Sequence, residues 1–135
     1  MKAMFDINVV LDIIGRREPF VEAAEAAYLH AVELSGRPLL AAHAYATLYY
    51  LLGTASAKKH RQAGMDWIFD SFSVAAIGES ELTAARTYAM PDFEDAMVAA
   101  AAESAGCDVI VTRNSAHFAG SPVPALSPEN FLSMA

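Results

Sequence analysis

The chain has 135 residues, enough for one domain over residues 1–135, and a hydrophobic fraction of 55% gives it ample material for a buried core. Nine Lys and Arg against 16 Asp and Glu leave a formal net charge of −7, which argues against broad adhesion to nucleic acid but does not exclude a nuclease with an acidic metal site. No apolar run approaches the roughly 20 residues of a bilayer span; Asp6 stands where a signal peptide would be apolar, and Cys107 is the only cysteine, so a reducing, cytoplasmic setting without a membrane is expected.

Residues 2–5 read as a short strand running into Asp6, and residues 7–14 as a short helix closed by Gly15. Pro19 opens a longer helix, with Phe20, Ala23, Ala24, Ala27, Tyr28 and Ala31 at helical spacing and Ser35-Gly36 as its stop. Residues 38–42 form a second apolar strand. Residues 43–52 form a third helix, apolar on most sides and ended by Gly53, and its Tyr45, Tyr49 and Tyr50 are assigned to the core rather than to a base-stacking surface.

Residues 56–69 carry Lys58, Lys59, His60 and Arg61 and read as an exposed helix with Trp67, Ile68 and Phe69 turned inward. The basic run is a solvated face and, outside any cleft, the best candidate for phosphate contact. Residues 72–77 make a third strand, and residues 80–88 a helix interrupted at Pro91. Asp92 starts an alanine-rich helix that reaches residue 105 and is capped by Gly106. Residues 108–112 are the clearest strand, through Val109, Ile110 and Val111; a loop, an edge strand over residues 123–126 and a short helix from Pro128 complete the chain. Short apolar strands alternating with helices predict an α/β fold with a mostly parallel sheet covered on both faces.

In open parallel sheets, ligands bind beyond the carboxyl ends of the strands. Asp6 and Asn114 each lie just past such an end. Asp108 lies at the opposite end of its strand, roughly 13 Å away at ~3.3 Å per residue, and is excluded. Asp92 and Asp95 are three apart in the first turn of one helix, so they share a face where the helix dipole favours negative charge. Acids gathered in this way repel one another unless a cation intervenes, and hard ions such as Mg²⁺ or Mn²⁺ take oxygen ligands. Simpler readings stand beside this one. Asp6 before a helix is a standard N-cap worth about 1 kcal/mol, and Asp92 with Asp95 is a common helix start. Asn114 with Ser115 suits a turn, while His43 and His117 alone make no zinc site.

The order of these pieces carries more than any one of them. Phe5-Asp6-Ile7-Asn8-Val9-Val10-Leu11-Asp12 resembles the opening D-x-N signature of PIN domains. Pro91-Asp92-Phe93-Glu94-Asp95-Ala96 resembles the family's third block, and Cys107-Asp108-Val109-Ile110-Val111-Thr112-Arg113-Asn114 its fourth. The segment from Pro124 to Leu132 is similar to its usual ending. The resemblance implies a three-layer α/β/α sandwich around a parallel sheet of about five strands, with Mg²⁺ or Mn²⁺ and hydrolysis of RNA phosphodiesters. It also implies a VapC-type toxin, restrained by a small basic antitoxin and forming a homodimer. Carried over by position, Asp6 and Asp95 become metal ligands, Asn114 takes the fourth position, Thr112 shapes its loop, and Asp92 is an accessory acid.

Two departures follow from the same alignment. The family's second acid, a glutamate in the helix after strand two, falls at Thr47, and that helix holds no acid. Close relatives carry aspartate where His117 stands. Metal affinity is therefore expected to fall unless Asp92 moves inward or His117 coordinates. The rival readings are a degenerate PIN domain that binds RNA or protein without cutting, and a partner-binding module acting through exposed apolar surface.

Overall fold

The computed structural model describes residues 1–54 and 58–134, the side chains of Lys58 and Lys59 excepted. Among these residues, five strands form one sheet: β1 (Ala3–Phe5), β2 (Leu39–Ala41), β3 (Ser73–Ala75), β4 (Val109–Val111) and β5 (Ala125–Leu126). Their order is β3-β2-β1-β4-β5 and every pairing is parallel. The helices are α1 (Ile7–Ile14), α2 (Val21–Ser35), α3 (Ala42–Thr54), α4 (Lys58–Ser71), α5 (Glu79–Thr87), α6 (Phe93–Ser104) and α7 (Pro128–Leu132). The expected three-layer α/β/α arrangement is the one observed.

Strand residues alternate between the two outer layers, as a period of two requires. Ala3, Phe5, Leu40, Val109 and Val111 meet α1, α2, α3, α4 and α7 on one face. Met4, Leu39, Ala41 and Ile110 meet α6 on the other. Strands β1, β2 and β4 are buried at every position, which is why they read as unbroken apolar runs. On α6, Ala99, Ala100, Ala101 and Ala102 are all buried; methyl side chains let this helix lie close to the sheet while Ala96 and Ala100 receive Ala85 of α5.

The topology locates the working edge. The chain runs β1, β2, β3 outward in one direction, then crosses back to place β4 on the other side of β1. The carboxyl ends of β1 and β4 are therefore neighbours at the point where strand order reverses, the usual crevice of open α/β sheets. Asp6 follows β1 there and Thr112 follows β4, whereas Asp108 sits at the far rim and accepts the Lys2 backbone N–H at 2.8 Å.

Several expectations need correction. Helix α2 begins at Val21, not Pro19, because the Arg17 carbonyl accepts from the Phe20 and Val21 N–H groups and closes a turn first. Helix α3 runs through Gly53 to Thr54. Gly53 serves packing instead of ending the helix: a Cβ there would overlap the Arg61 guanidinium, which lies 4.2 Å from the centre of the Tyr49 ring. Arg61 is thus part of the α3–α4 contact and not of a solvated basic face. Ser56 and the Lys58 and Lys59 side chains lie outside the described residues. Tyr49 and Tyr50 are surface residues, 51% and 66% exposed, and Phe69 is 57% exposed against the half-buried Tyr45. Apolar residues surround α3 in the sequence, but only Ala44, Leu48 and Leu52 are buried, with Tyr45 packed at the edge of the same core. Finally, the segment read as a loop after β4 contains a 3₁₀ turn, Ser115–Phe118, anchored by the buried Phe118.

Candidate functional site

Asp6 ends β1 and caps α1. Its Oδ1 accepts the Ile7 N–H at 2.9 Å, and its Oδ2 accepts the Thr112 hydroxyl at 2.8 Å. Both the capping and the functional reading of this residue describe the same carboxylate. Thr112 is fully buried at the end of β4, and its Oγ1 also accepts the Asn114 N–H at 3.1 Å, so one hydroxyl fixes both Asp6 and the start of the following loop. Asn8 binds across the same gap: its Nδ2 lies 3.5 Å from Asp6 Oδ2 and from Thr112 Oγ1, while its Oδ1 accepts the Arg113 N–H at 3.3 Å.

Arg113 ties this loop to α1 from below. Its Nε donates to Asp12 Oδ2 at 2.6 Å and its Nη2 to Asp12 Oδ1 at 3.4 Å, with the guanidinium 4.0 Å above the Phe20 ring. Asp12 is fully buried, so this paired, hydrogen-bonded geometry is what makes its charge tolerable. Arg17 approaches the same carboxylate at 3.9 Å from the solvent side.

The second group of acids comes from α6, across the sheet. Asp92 caps that helix through Oδ1, which accepts the Asp95 N–H at 3.0 Å. Asp6, Asp92, Glu94, Asp95, Asn114 and His117 line one open cleft of about 360 Å³ together with Ile7, Asn8, Leu11, Arg17, Thr47 and Leu51. Of the residues singled out from sequence, Asp6, Asp92, Asp95, Asn114 and Thr47 reach this cleft directly, and Thr112 stands behind it. His117, exposed on the 3₁₀ turn, reaches it too. A larger groove of about 460 Å³ between α1, α2 and α4 holds Glu25 as its sole acid among the described residues, so it lacks the chemistry found here.

The electrostatics show how closely the acids interact. Burial pushes the Asp6 carboxyl above its usual range, opposed by the bonds from Thr112 and Ile7 and by His43, with the Asp92 charge adding to the rise. Asp95 is pushed up to about 6, first by burial, then by the negative charges of Asp6 and Asp92, with His117 acting in the opposite direction. Each is a carboxylate whose charge is costly in the absence of a cation. His43, held low by burial despite Glu94 and Asp6 nearby, has both ring nitrogens buried without a hydrogen-bond partner.

The donor set suits a hard divalent ion held by few protein ligands. Among the described residues, no three His, Cys, Asp or Glu side chains converge at ligand spacing. Mg²⁺ is commonly held by one or two carboxylates and otherwise by water. Asp6 and Asp95, with the Asn114 carboxamide beside them, meet that description. The side of the cleft formed by α3 contributes no charge: Thr47 stands there, its hydroxyl turned back to the His43 carbonyl at 3.4 Å. Residues that the sequence reading left without a role include Asn8, Arg17, Glu94 and Leu51. Asn8 had a signal, since it is the third residue of the quoted D-x-N motif; the others carried none within their own segments.

Comparison with known proteins bears on this arrangement. The family model described as "PIN domain" matches residues 2–116. No curated protein sequence matches the chain. Among solved structures, the toxin–antitoxin complex from Klebsiella pneumoniae contains a similar chain at 20% identity and TM-score 0.69, covering 94% of this chain and 98% of that one. VapBC2 from Rickettsia felis, bound to a DNA fragment from its promoter, is similar at 15% identity and TM-score 0.75, with the same coverage of 94% and 98%. FitAcB from Neisseria gonorrhoeae is similar at 18% identity, TM-score 0.69 and again 94% and 98% coverage. At these identities the shared property is the fold.

Proposed function

This chain belongs to the PIN domain family, and from that membership we propose that it is a metal-dependent endoribonuclease that hydrolyses RNA phosphodiester bonds as the toxin of a toxin–antitoxin pair. The observation that carries the proposal is the meeting of Asp6, from the end of β1, with Asp95, from the first turn of α6, in one cleft where the charge of Asp6 helps to raise the pKa of Asp95. Residues 89 positions apart deliver oxygens to one volume, and simple helix capping gives no reason for that.

In this reading Asp6 and Asp95 hold Mg²⁺ or Mn²⁺ with the Asn114 carboxamide as a further oxygen donor, and Asp92 is an accessory acid whose negative charge acts on both ligands. Such an ion supplies Lewis acidity that makes water easier to deprotonate and offsets charge on the phosphodiester. The protein's own groups keep the site in shape. Thr112 orients the Asp6 carboxylate, Asn8 bridges β1 to the loop after β4, and the Asp12–Arg113 pair fixes that loop against α1. The antitoxin partner rests on the toxin–antitoxin complexes found among the similar folds; a homodimer as the state of the free toxin is carried by the family resemblance alone.

Asp6→Asn tests the assignment. The variant is expected to keep its fold by circular dichroism and to lose Mn²⁺-dependent cleavage of single-stranded RNA, while chelator silences the native protein. Equal cleavage in chelator would overturn the mechanism. One observation favours a second reading: the α3 wall holds Thr47 and no carboxylate, which suits a PIN domain that binds RNA or protein and scarcely cuts.

A further inference from the structure

The cleft straddles the sheet's rim, and its two sides differ in chemistry. Helix α6, which carries Asp92, Glu94 and Asp95, packs on one face of the sheet, while α1 and α3 pack together on the other. Ile7 and Leu11 are one helical turn apart on α1, as Thr47 and Leu51 are on α3, so each helix turns a continuous strip towards the cleft. Ile7, Leu11 and Leu51 make these strips largely apolar; the Thr47 hydroxyl is turned back to its own helix, and Asn8, also on this side, is engaged with Asp6, Thr112 and Arg113.

Arg17 lines the same cleft. Its side chain is half exposed and 3.9 Å from Asp12, whose nearer partner is Arg113 at 2.6 Å, so Asp12 stays paired without it. A cation beside an apolar wall, in a chain whose balance is otherwise acidic, is matched to a ligand that combines a flat apolar face with a phosphate.

We infer that the α1–α3 side of the cleft is a nucleotide subsite, in which an unpaired nucleobase lies against Leu11, Thr47 and Leu51 while Arg17 binds the adjoining phosphate. The inference rests on the nuclease reading above and names the form of its substrate: a strand whose base next to the scissile bond is unstacked. A base within a duplex has both faces covered and gains nothing from such a wall, whereas a splayed base does. The threonine that removes a charge from the metal side also removes a charge that would face the base.

The test needs no cleavable ligand. Native protein in Mg²⁺ is titrated by NMR with adenosine 5′-monophosphate and with ribose 5-phosphate, which lacks the base. The expected result is about tenfold tighter binding of the nucleotide, the order of gain from covering one base face with aliphatic side chains. In Leu51→Gln that ratio falls towards one; in Arg17→Gln both affinities drop by a similar factor and the ratio survives. Equal affinities in the native protein, no measurable binding of either compound, or an unchanged ratio in Leu51→Gln would each overturn the subsite. RNA cleavage measured in parallel separates the two readings. Cleavage without a base-dependent difference leaves the nuclease and removes the subsite; a base-dependent difference without cleavage does the reverse.

Discussion

Replacing Asp95 with Asn should make the metal-free protein more stable while disabling its proposed chemistry. The Asp95 carboxyl is pushed from its ordinary 3.8 to about 6 by burial, Asp6 and Asp92. At full strength, a rise of that size penalises the charged form by about 3 kcal/mol. Asp95 is partly open to solvent, so screening reduces the figure to about 1 kcal/mol. The sign follows from the direction of the rise. The penalty is absent below the unfolded value near 4, grows as the pH climbs through about 6, and is complete at pH 7.5. Asp95→Asn removes it, because an amide carries no charge at any pH, and it leaves the Asp95 N–H to Asp92 cap intact. In chelator at pH 7.5 the variant should melt about 2–5 °C higher than the native protein, and most of the gain should be gone by about pH 4.5. Mg²⁺ should raise the melting temperature of the native protein and have far less effect on the variant, since only a ligand-binding folded state is stabilised by mass action. Differential scanning fluorimetry at the two pH values, with and without Mg²⁺, measures all of this. A melting temperature lowered equally at both pH values would show that Asp95 is an ordinary helix-start residue outside any shared field.

Thr47→Glu restores a carboxylate to the α3 wall and should tighten Mn²⁺ binding by about tenfold, close to 1.4 kcal/mol, in isothermal calorimetry. A matching gain in RNA cleavage would favour the second reading, in which the present chain is a weakened enzyme. Thr112→Val removes the hydroxyl shared by Asp6 and the Asn114 N–H, and should cost about 1–3 kcal/mol in chemical denaturation while also weakening Mn²⁺ affinity. Asp12→Ala leaves Arg113 without its close partner and should destabilise the fold by about 3 kcal/mol in the same assay, less than a fully buried pair would lose because Arg113 is partly exposed.

Much of this protein could be read in single segments. The strand at β4 is fixed by Val109, Ile110 and Val111, the start of α1 by Asp6, and the start of α6 by Asp92 with Asp95 three residues on, because periodicity and capping act within a few positions. Parallel-sheet logic also put Asp6 and Asn114 at one rim and Asp108 at the other, as the structure has them, since all the carboxyl ends of a parallel sheet share one edge. The sequence expectation failed where coverage was at issue. Tyr49 and Tyr50 look like core residues on an apolar helix, yet α3 has one face to bury and they lie off it. Gly53 looks like a stop, yet it admits Arg61, eight positions further on.

What the sequence determined by itself was therefore the alternation of strand and helix and the acids standing at their ends. What only the tertiary structure decided was convergence. The α6 acids meet Asp6 because the chain reverses its strand order beside β1, and His117 reaches the cleft that Asp95 lines from a 3₁₀ turn anchored by Phe118. Arg17 and Leu51 enter the same cleft from segments that carry no local signal for it. The physical reason is range: capping and helical spacing act over three or four residues, whereas the field that raises Asp95 comes from a carboxylate 89 positions away in the chain, brought close only by folding.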